Sequence, residues 1–330
     1  MLLSTQIQVE IPRPRKIAGV LLRCPRCFAA MSELRVTQTS VPGCCNCDMT
    51  LPREQGIWKA LLPERAAHYA RFVGDYESIR AAEGRGSGSP SYYLALPYQD
   101  LSGRLAAQWA IRARTFSYIE RRILPRLALL KHQPLRILDL GAGNGWMSYR
   151  LAMQGYAPVA VDLLTNEQDG LGAARHYQQA LARPFPCFQA EMDNLPFADA
   201  QFDLAIFNAS FHYSENYEQT LAEALRCVRN WGTIVIADTP WYSDEESGRR
   251  MLEERRALFI SRYGFPSDRL KSLEYLTDKR LGALEQRFHI RWQTHRPAYG
   301  MRWRMRPLVA RVLRARKPSR FRIYTAMVTK

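Results

Sequence analysis

Apolar and polar positions change period along the 330 residues, and each change predicts a different kind of structure. Up to about residue 55 no apolar period is sustained. The segment is rich in Cys, Pro and Arg, which predicts a loop-built module held by something other than an apolar core. From Trp58 to about Arg80 the spacing becomes helical, until Glu83-Gly-Arg-Gly-Ser-Gly-Ser-Pro90 interrupts it with residues that favour flexible backbone and predict a hinge. Leu105, Trp109, Phe116, Ile123 and Leu127 then return at spacings compatible with one helical face, with a kink expected at Pro125. From Leu135 onward short β-rich runs alternate with helical segments. Strands are predicted at Arg136–Leu140, Pro158–Asp162, Cys187–Ala190, Phe202–Asn208, Gly232–Asp238, Phe288–Trp292 and Phe321–Val328. Such alternation implies βαβ units in a mostly parallel sheet. The expected organisation is a cysteine module over 1–56, a helical cap and linker over 57–133 with the hinge at 84–90, and an α/β domain over 134–330. That domain should hold a seven-stranded sheet with helices on both faces.

The first strand of that domain runs into Asp139-Leu-Gly-Ala-Gly-Asn-Gly145 and then into a helical stretch. Gly141, Gly143 and Gly145 let the main chain approach a ligand closely, as a nucleotide-binding turn requires. Two features separate this loop from a dinucleotide fingerprint. The glycines are spaced Gly-x-Gly-x-Gly, and Asp139 stands directly before them. A carboxylate there suits a cationic ligand and would repel a pyrophosphate. The ammonium and sulfonium of S-adenosylmethionine meet that demand. Asp162, at the end of the second strand, is placed to accept hydrogen bonds from ribose hydroxyls.

On these residues the chain resembles the class I S-adenosylmethionine-dependent methyltransferases, and within them the broad type-11 group that includes small-molecule and quinone methyltransferases. The resemblance covers roughly residues 135–330. It also rests on Ala190-Glu-Met-Asp-Asn-Leu-Pro-Phe197, on Phe202-Asp-Leu-Ala-Ile-Phe-Asn208, and on the segment from Leu221 through Arg229-Asn-Trp-Gly-Thr-Ile-Val-Ile236. It implies a Rossmann-like sheet in which Asp139 and the backbone of Gly141, Ala142, Gly143, Asn144 and Gly145 hold the methionine part. Asp162 would meet the ribose, with Leu163 also in the cofactor site, Glu191 with Met192 the adenine, and Asn208 would stand beside the methyl group. Glu191 occupies a position where the family usually has Asp, so Asp193 is a second candidate for the adenine contact. Asn230-Trp231 replaces the usual Pro-Gly before the fifth strand and should change only a turn.

Methyl transfer from a sulfonium is an in-line displacement that positioning alone can accelerate strongly. After Asn208 comes Ala-Ser-Phe-His-Tyr213, without the Asn/Asp-Pro-Pro-Tyr box of enzymes that methylate exocyclic amines of bases. His212 or Tyr213 could take a proton from a hydroxyl or an acidic carbon, and His212 could equally be a packing residue at the strand end. Tyr92 and Tyr93 could touch substrate or simply pack the cap.

Cys24-Pro-Arg-Cys27 and Cys44-Cys-Asn-Cys47 are two Cys-x-x-Cys pairs separated by sixteen residues, the spacing of a zinc ribbon. Four thiolates would close a structural Zn²⁺ site and leave Cys45 as a spectator or substitute ligand. An iron–sulfur cluster or a redox pair uses the same pattern. The order of parts resembles that of ribosomal-RNA guanine-N1 methyltransferases, in architecture only.

The net charge is +16, and from Gln286 to Lys330 there is no acidic residue against thirteen Arg and Lys. Such a field could be a solvated surface or could answer an acidic partner. The leading expectation is methyl transfer to a small-molecule or lipid-intermediate acceptor. An RNA methyltransferase using ribbon and tail, with Trp292, Tyr299 and Trp303 stacking on bases, is the second, and a non-catalytic cofactor-binding scaffold the third. Leu308, Val309, Val312 and Leu313 on one face of a basic helix suggest peripheral membrane contact or docking on the sheet. No apolar run is long enough to span a bilayer, and a cytoplasmic protein is expected.

Overall fold

The computed structural model describes residues 16–36, 39–129, 134–266 and 270–330. Three short ribbons open the chain. β1 (Lys16–Ile17) pairs with β2 (Val20–Leu21), β3 (Met31–Val36) with β4 (Thr39–Cys44), and β5 (Arg53–Glu54) with β6 (Ile57–Lys59), all antiparallel. Gln55 and Gly56 both adopt positive φ, which closes the last hairpin in two residues.

A helical region follows, comprising α1 (Pro63–Ala82), α2 (Pro90–Ala95), α3 (Ala106–Tyr118), a π-helical turn over Ile119–Ile123 and α4 (Leu124–Ala128). The kink expected at Pro125 is expressed as that widened turn immediately before it. Proline has no N–H and its ring crowds the carbonyl four residues earlier, so the helix opens there. The segment read as a hinge at 84–90 is tied down: Tyr93 Oη accepts from Ser87 N at 3.0 Å and lies 2.7 Å from the Gln168 carbonyl.

The α/β part contains β7 (Arg136–Leu140), α5 (Trp146–Met153), β8 (Ala157–Asp162), α6 (Arg175–Gln178), β9 (Cys187–Gln189), β10 (Phe202–Asn208), α7 (Tyr217–Cys227) and β11 (Val228–Ala237). After it come α8 (Glu245–Tyr263), α9 (Asp278–Phe288), β12 (Gln293–His295), α10 (Met301–Val312) and β13 (Ile323–Met327). The sheet order is β12-β13-β11-β10-β7-β8-β9-β6-β5, parallel from β11 through β6, with β13 antiparallel to β11. The chain enters at β7, builds outward through β8 and β9, then returns to β10 on the other side. That reversal opens a crevice at the carboxyl ends of the central strands.

The α/β domain supplies the seven strands expected of it, β7 to β13, and the sheet reaches nine among the described residues because β6 joins β9 in parallel and brings β5 with it. Two expectations are corrected. Trp58, read as the start of a helix, lies in β6 and stacks on Phe188 of β9 at 6.4 Å. A three-residue strand is too short to display a period of two. Phe288–Trp292 is not a strand: Phe288 ends α9, His289 caps it with φ 52°, and the strand begins at Gln293. The alternation Phe288, Ile290, Trp292 imitates a strand, while the left-handed cap is invisible in periodicity. The Asn230-Trp231 turn is a bulge within a longer β11, with Trp231 at φ 61°.

Each face of the sheet carries one layer of core. Leu138, Leu140, Val159 and Val161 pack with Val20, Leu22, Cys24, Met31, Cys44 and Leu51 of the N-terminal module. Ile137, Ala160, Leu204, Ile206 and Val235 pack on the other face with Trp109, Phe116, Ile119 and Ile123 of the cap. Among the described residues no helix is long and apolar enough to cross a membrane.

Candidate active site and metal centre

A cavity of about 690 Å³ occupies the crevice where the chain reverses. Its floor is the loop after β7, and its roof is one face of α1, where Tyr69, Phe72, Tyr76, Ile79, Arg80 and Glu83 recur at helical spacing. Phe259 of α8 and Trp303 and Arg306 of α10 line a further wall.

Asp139 is buried at the position of β7 that faces the cap, and its Oδ2 accepts from Ser148 Oγ at 2.8 Å. Burial pushes its carboxyl up to about 7, helped by the neighbouring Asp162. Gly141, Gly143 and Gly145 all take positive φ. A Cβ on Gly141 would lie 2.2 Å from Cβ of Ser210, so only glycine fits. Gly143 N donates to Asp162 Oδ2 at 2.7 Å and Leu164 N donates to Oδ1 at 2.8 Å, which holds the carboxylate in one orientation. Ala142 and Asn144 are buried in the same loop, with Asn144 Oδ1 accepting from Trp146 N, and Leu163 lines the cavity beside Asp162.

Of the two acids considered for an adenine, Glu191 is heavily engaged: Arg65 Nε and Tyr69 Oη both donate to its Oε2, at 2.8 and 3.0 Å. Among the described residues Asp193 accepts only from Thr220 Oγ1, at 3.1 Å, and burial raises its carboxyl to about 6. Met192 lies between them on the cavity wall.

Asn208 ends β10 with its Oδ1 buried and without a partner among the described residues. His212 sits in the short turn that follows, and its Nδ1 is likewise buried and unpartnered. Burial pushes the imidazole down to about 4, with Glu274 pulling the other way. Tyr213 packs edge-on to Tyr76 at 5.7 Å, and burial holds its phenol well above the usual range. Tyr92 and Tyr93 are buried packing residues off the cavity wall.

Several wall residues escaped the sequence reading. Asp238, just past β11, has burial raising its carboxyl to about 6; Oδ1 accepts from Thr115 Oγ1 at 2.6 Å and Oδ2 has no partner among the described residues. Arg80 pairs with Asp169 at 2.5 Å, and Arg85 is buried with Nη1 unpartnered. Arg112 stacks on Trp109; burial and the nearby Arg80 and Arg85 all lower its pKa. The helical spacing of α1 was legible in the sequence, but not that Tyr69, Phe72 and Tyr76 face the cavity. The arginines carry no local signal, because chain segments far apart bring them together. Orphaned atoms of Asn208, His212, Asp238 and Arg85 thus share one cavity. Buried polar atoms left unpaired are costly and mark where a polar ligand belongs.

Residues 138–236 match the family described as "Methyltransferase domain". They form a methyltransferase domain of the class I, S-adenosylmethionine-dependent kind. Within this domain lie the glycine loop, Asp162, the Glu191–Asp193 segment, Asn208 and His212. The chain is 32% identical over 124 residues to a malonyl-[acyl-carrier protein] O-methyltransferase of Legionella pneumophila, an alignment covering 38% of this chain and 43% of the relative. It is 28% identical over 128 residues to a sarcosine/dimethylglycine N-methyltransferase of Halorhodospira halochloris, covering 38% and 46%. The chain thus spans less than half the length of these relatives. The crystal structure of Burkholderia thailandensis 1,6-didemethyltoxoflavin-N1-methyltransferase, with bound 1,6-didemethyltoxoflavin and S-adenosylhomocysteine, aligns over 90% of this chain and 99% of its own. The identity is 17% and the TM-score 0.47.

Outside the methyltransferase domain, the sulfurs of Cys24, Cys27, Cys44 and Cys47 lie within 4.8 Å of one another. Cys24 and Cys47 are 3.6 Å apart and Cys27 and Cys44 3.3 Å. A tetrahedral zinc with bonds of about 2.3 Å would space its sulfurs by about 3.8 Å, so the donor set fits that ion. In each pair a backbone N–H two residues on, from Arg26 and from Asn46, points at the first sulfur. Cys45 stands apart, exposed, with its thiol directed at the Ala30 carbonyl. The cluster is joined to the methyltransferase domain by Arg23 Nη2, 3.0 Å from Glu223 Oε1, and by Asn194 Nδ2, which donates to the Pro25 carbonyl.

Proposed function

We propose that the protein transfers the methyl group of S-adenosylmethionine to a small-molecule or lipid-intermediate acceptor bound in the cavity. The observation that carries this reading is the convergence of Asp139, Asp162 and the orphaned atoms of Asn208, His212 and Asp238 on one cavity. Asp139 would take the ammonium of the methionine part, with the Gly141–Gly145 backbone beneath it. Asp162 already accepts one backbone hydrogen bond on each oxygen and keeps further lone pairs for the ribose hydroxyls. Asp193, the less engaged acid, would meet the adenine beside Met192. Glu191 would act by anchoring the α1 roof through Arg65 and Tyr69.

Bound S-adenosylmethionine supplies the electrophilic methyl group. The chain's own residues then orient the acceptor and exclude water. His212 is neutral throughout the physiological range, and its free Nδ1 accepts a hydrogen bond from the acceptor's X–H, aligning a lone pair for in-line attack. Arg112 has no acidic hydrogen-bond partner among the described residues and gives the wall a positive charge suited to a carboxylate. Walls from α1, α8 and α10 favour a small acceptor, or one presented by its end, over a base held within a duplex. Zn²⁺ on Cys24, Cys27, Cys44 and Cys47 would be structural, since four protein ligands leave no open position.

The test is titration with S-adenosylmethionine and S-adenosylhomocysteine, followed by transfer of labelled methyl groups to panels of small acids, amines, phenols and lipid extracts. Saturable binding, lost in Asp139→Ala and Asp162→Ala, is expected. No binding by folded, metal-loaded protein would overturn the reading.

A further inference from the structure

Helix α10 is amphipathic in the inverted sense. At 100° per residue, Met301, Met305, Leu308, Val309 and Val312 fall within about 100° of one another. Such a stripe normally faces a core. Here every member is exposed, from 42% at Met305 to 74% at Val312, and no residue of the helix is fully buried. The side facing the protein carries Trp303 and Arg306 instead, with Trp303 stacked on Phe321 at 5.2 Å and Arg306 over its ring at 4.1 Å. The helix is therefore held by its polar-aromatic side and presents its apolar side outward.

Charge decides what could cover it. Arg302 flanks the stripe on one side and Arg304 and Arg311 on the other, and none has an acidic partner among the described residues. Other basic residues of the tail are neutralised within the fold, Arg316 by Glu254, Lys317 by Asp244 and Arg322 by Asp278. A second copy of the same face would set unpaired arginines against unpaired arginines. A convex apolar stripe between long basic side chains instead matches the boundary of an anionic bilayer, where apolar groups enter beneath the headgroups and guanidiniums reach the phosphates.

We infer that α10 docks the protein on an anionic lipid surface through Met301, Met305, Leu308, Val309 and Val312, with Arg302, Arg304 and Arg311 engaging the headgroups. Because Trp303 and Arg306 on the reverse of this helix line the cavity, docking sets the cavity wall next to the interface. The inference stands whether or not the acceptor itself is a lipid.

The experiment is co-sedimentation of the full chain with vesicles of phosphatidylcholine alone and with 30% phosphatidylserine (about 30 mol %), in 0.1 and 0.5 M NaCl (about these strengths). Binding to the anionic vesicles only, weakened by salt, is expected. The Leu308→Glu/Val312→Glu double variant should bind at least about tenfold more weakly. Arg304→Gln should lose about fivefold, the effect of one basic side chain near such a surface. All these residues are exposed, so thermal midpoint and S-adenosylhomocysteine affinity should match wild type, separating failure of docking from failure of the cofactor site. No vesicle binding, or equal binding to both compositions, would overturn the inference. So would unaltered binding by the double variant, or a wild-type dimer in sedimentation velocity that it dissolves. RNA binding that depends on the arginines but not on Leu308 and Val312, in the absence of vesicle binding, would overturn it in favour of nucleic acid.

Discussion

Burial pushes the Asp139 carboxyl up to about 7, so cofactor affinity should depend on pH in a calculable way. An ammonium placed against Asp139 favours its charged form and lowers its pKa in the complex to the ordinary range or below. The protonated carboxyl then competes with binding, and affinity is lost as pH falls through about 7. Between pH 7 and about 5.5 the protonated fraction rises from about one half to nearly all, which weakens binding about 15-fold, or about 1.6 kcal/mol. Binding should also release about half a proton per site at pH 7. Calorimetric titration with S-adenosylhomocysteine, in buffers of differing ionisation enthalpy, reads both quantities. Asp193 and Asp238 are also raised, to about 6, so the diagnostic measurement is the difference between wild type and Asp139→Asn. The variant should bind more weakly at pH 7 and lose most of the slope. A flat wild-type profile, or an unchanged slope in Asp139→Asn, would refute the placement of the ammonium on Asp139.

Three further outcomes are expected. Purified protein should carry one zinc by elemental analysis; Cys27→Ser should lose it and lower Tm by roughly 5 °C or more, the shift produced by about 2 kcal/mol in a domain of this size, whereas Cys45→Ser should keep it. Gly141→Ala forces a side chain into positive φ and onto Ser210, so it should cost at least about 1–2 kcal/mol in denaturant unfolding and abolish calorimetric cofactor binding. His212→Phe should cut the turnover rate at least about tenfold with S-adenosylhomocysteine affinity nearly unchanged. Its stability effect has a defined sign: the folded pKa of about 4 lies below the ordinary 6.5, so His212 costs no stability above pH 6.5, and up to about 3 kcal/mol is lost as pH falls towards 4. The variant should lose less stability over that window in acid titrations followed by circular dichroism.

Much of the methyltransferase domain was decided by local sequence. The strands at Arg136–Leu140 and Phe202–Asn208 were legible because buried parallel strands are written as short, nearly unbroken apolar runs. The tight turn at Gly141, Gly143 and Gly145 was legible because positive φ restricts residue type position by position. The cysteine spacing likewise carried its own geometry, and the four sulfurs do converge. What only the tertiary structure decided are pairings between segments distant in the chain. The N-terminal hairpin extends the sheet because Ile57–Lys59 meets the free edge of β9, an edge no local pattern announces. Arg85, Arg112 and Asp238 reach one cavity from separate elements, and each alone reads as an ordinary loop, helix or strand-end residue. Helix α10 is the sharpest case. Periodicity gave its apolar stripe but not its direction, because which face turns to the core depends on what lies beneath, and there Phe321 and the cavity wall take Trp303 and Arg306 and leave the stripe to the outside.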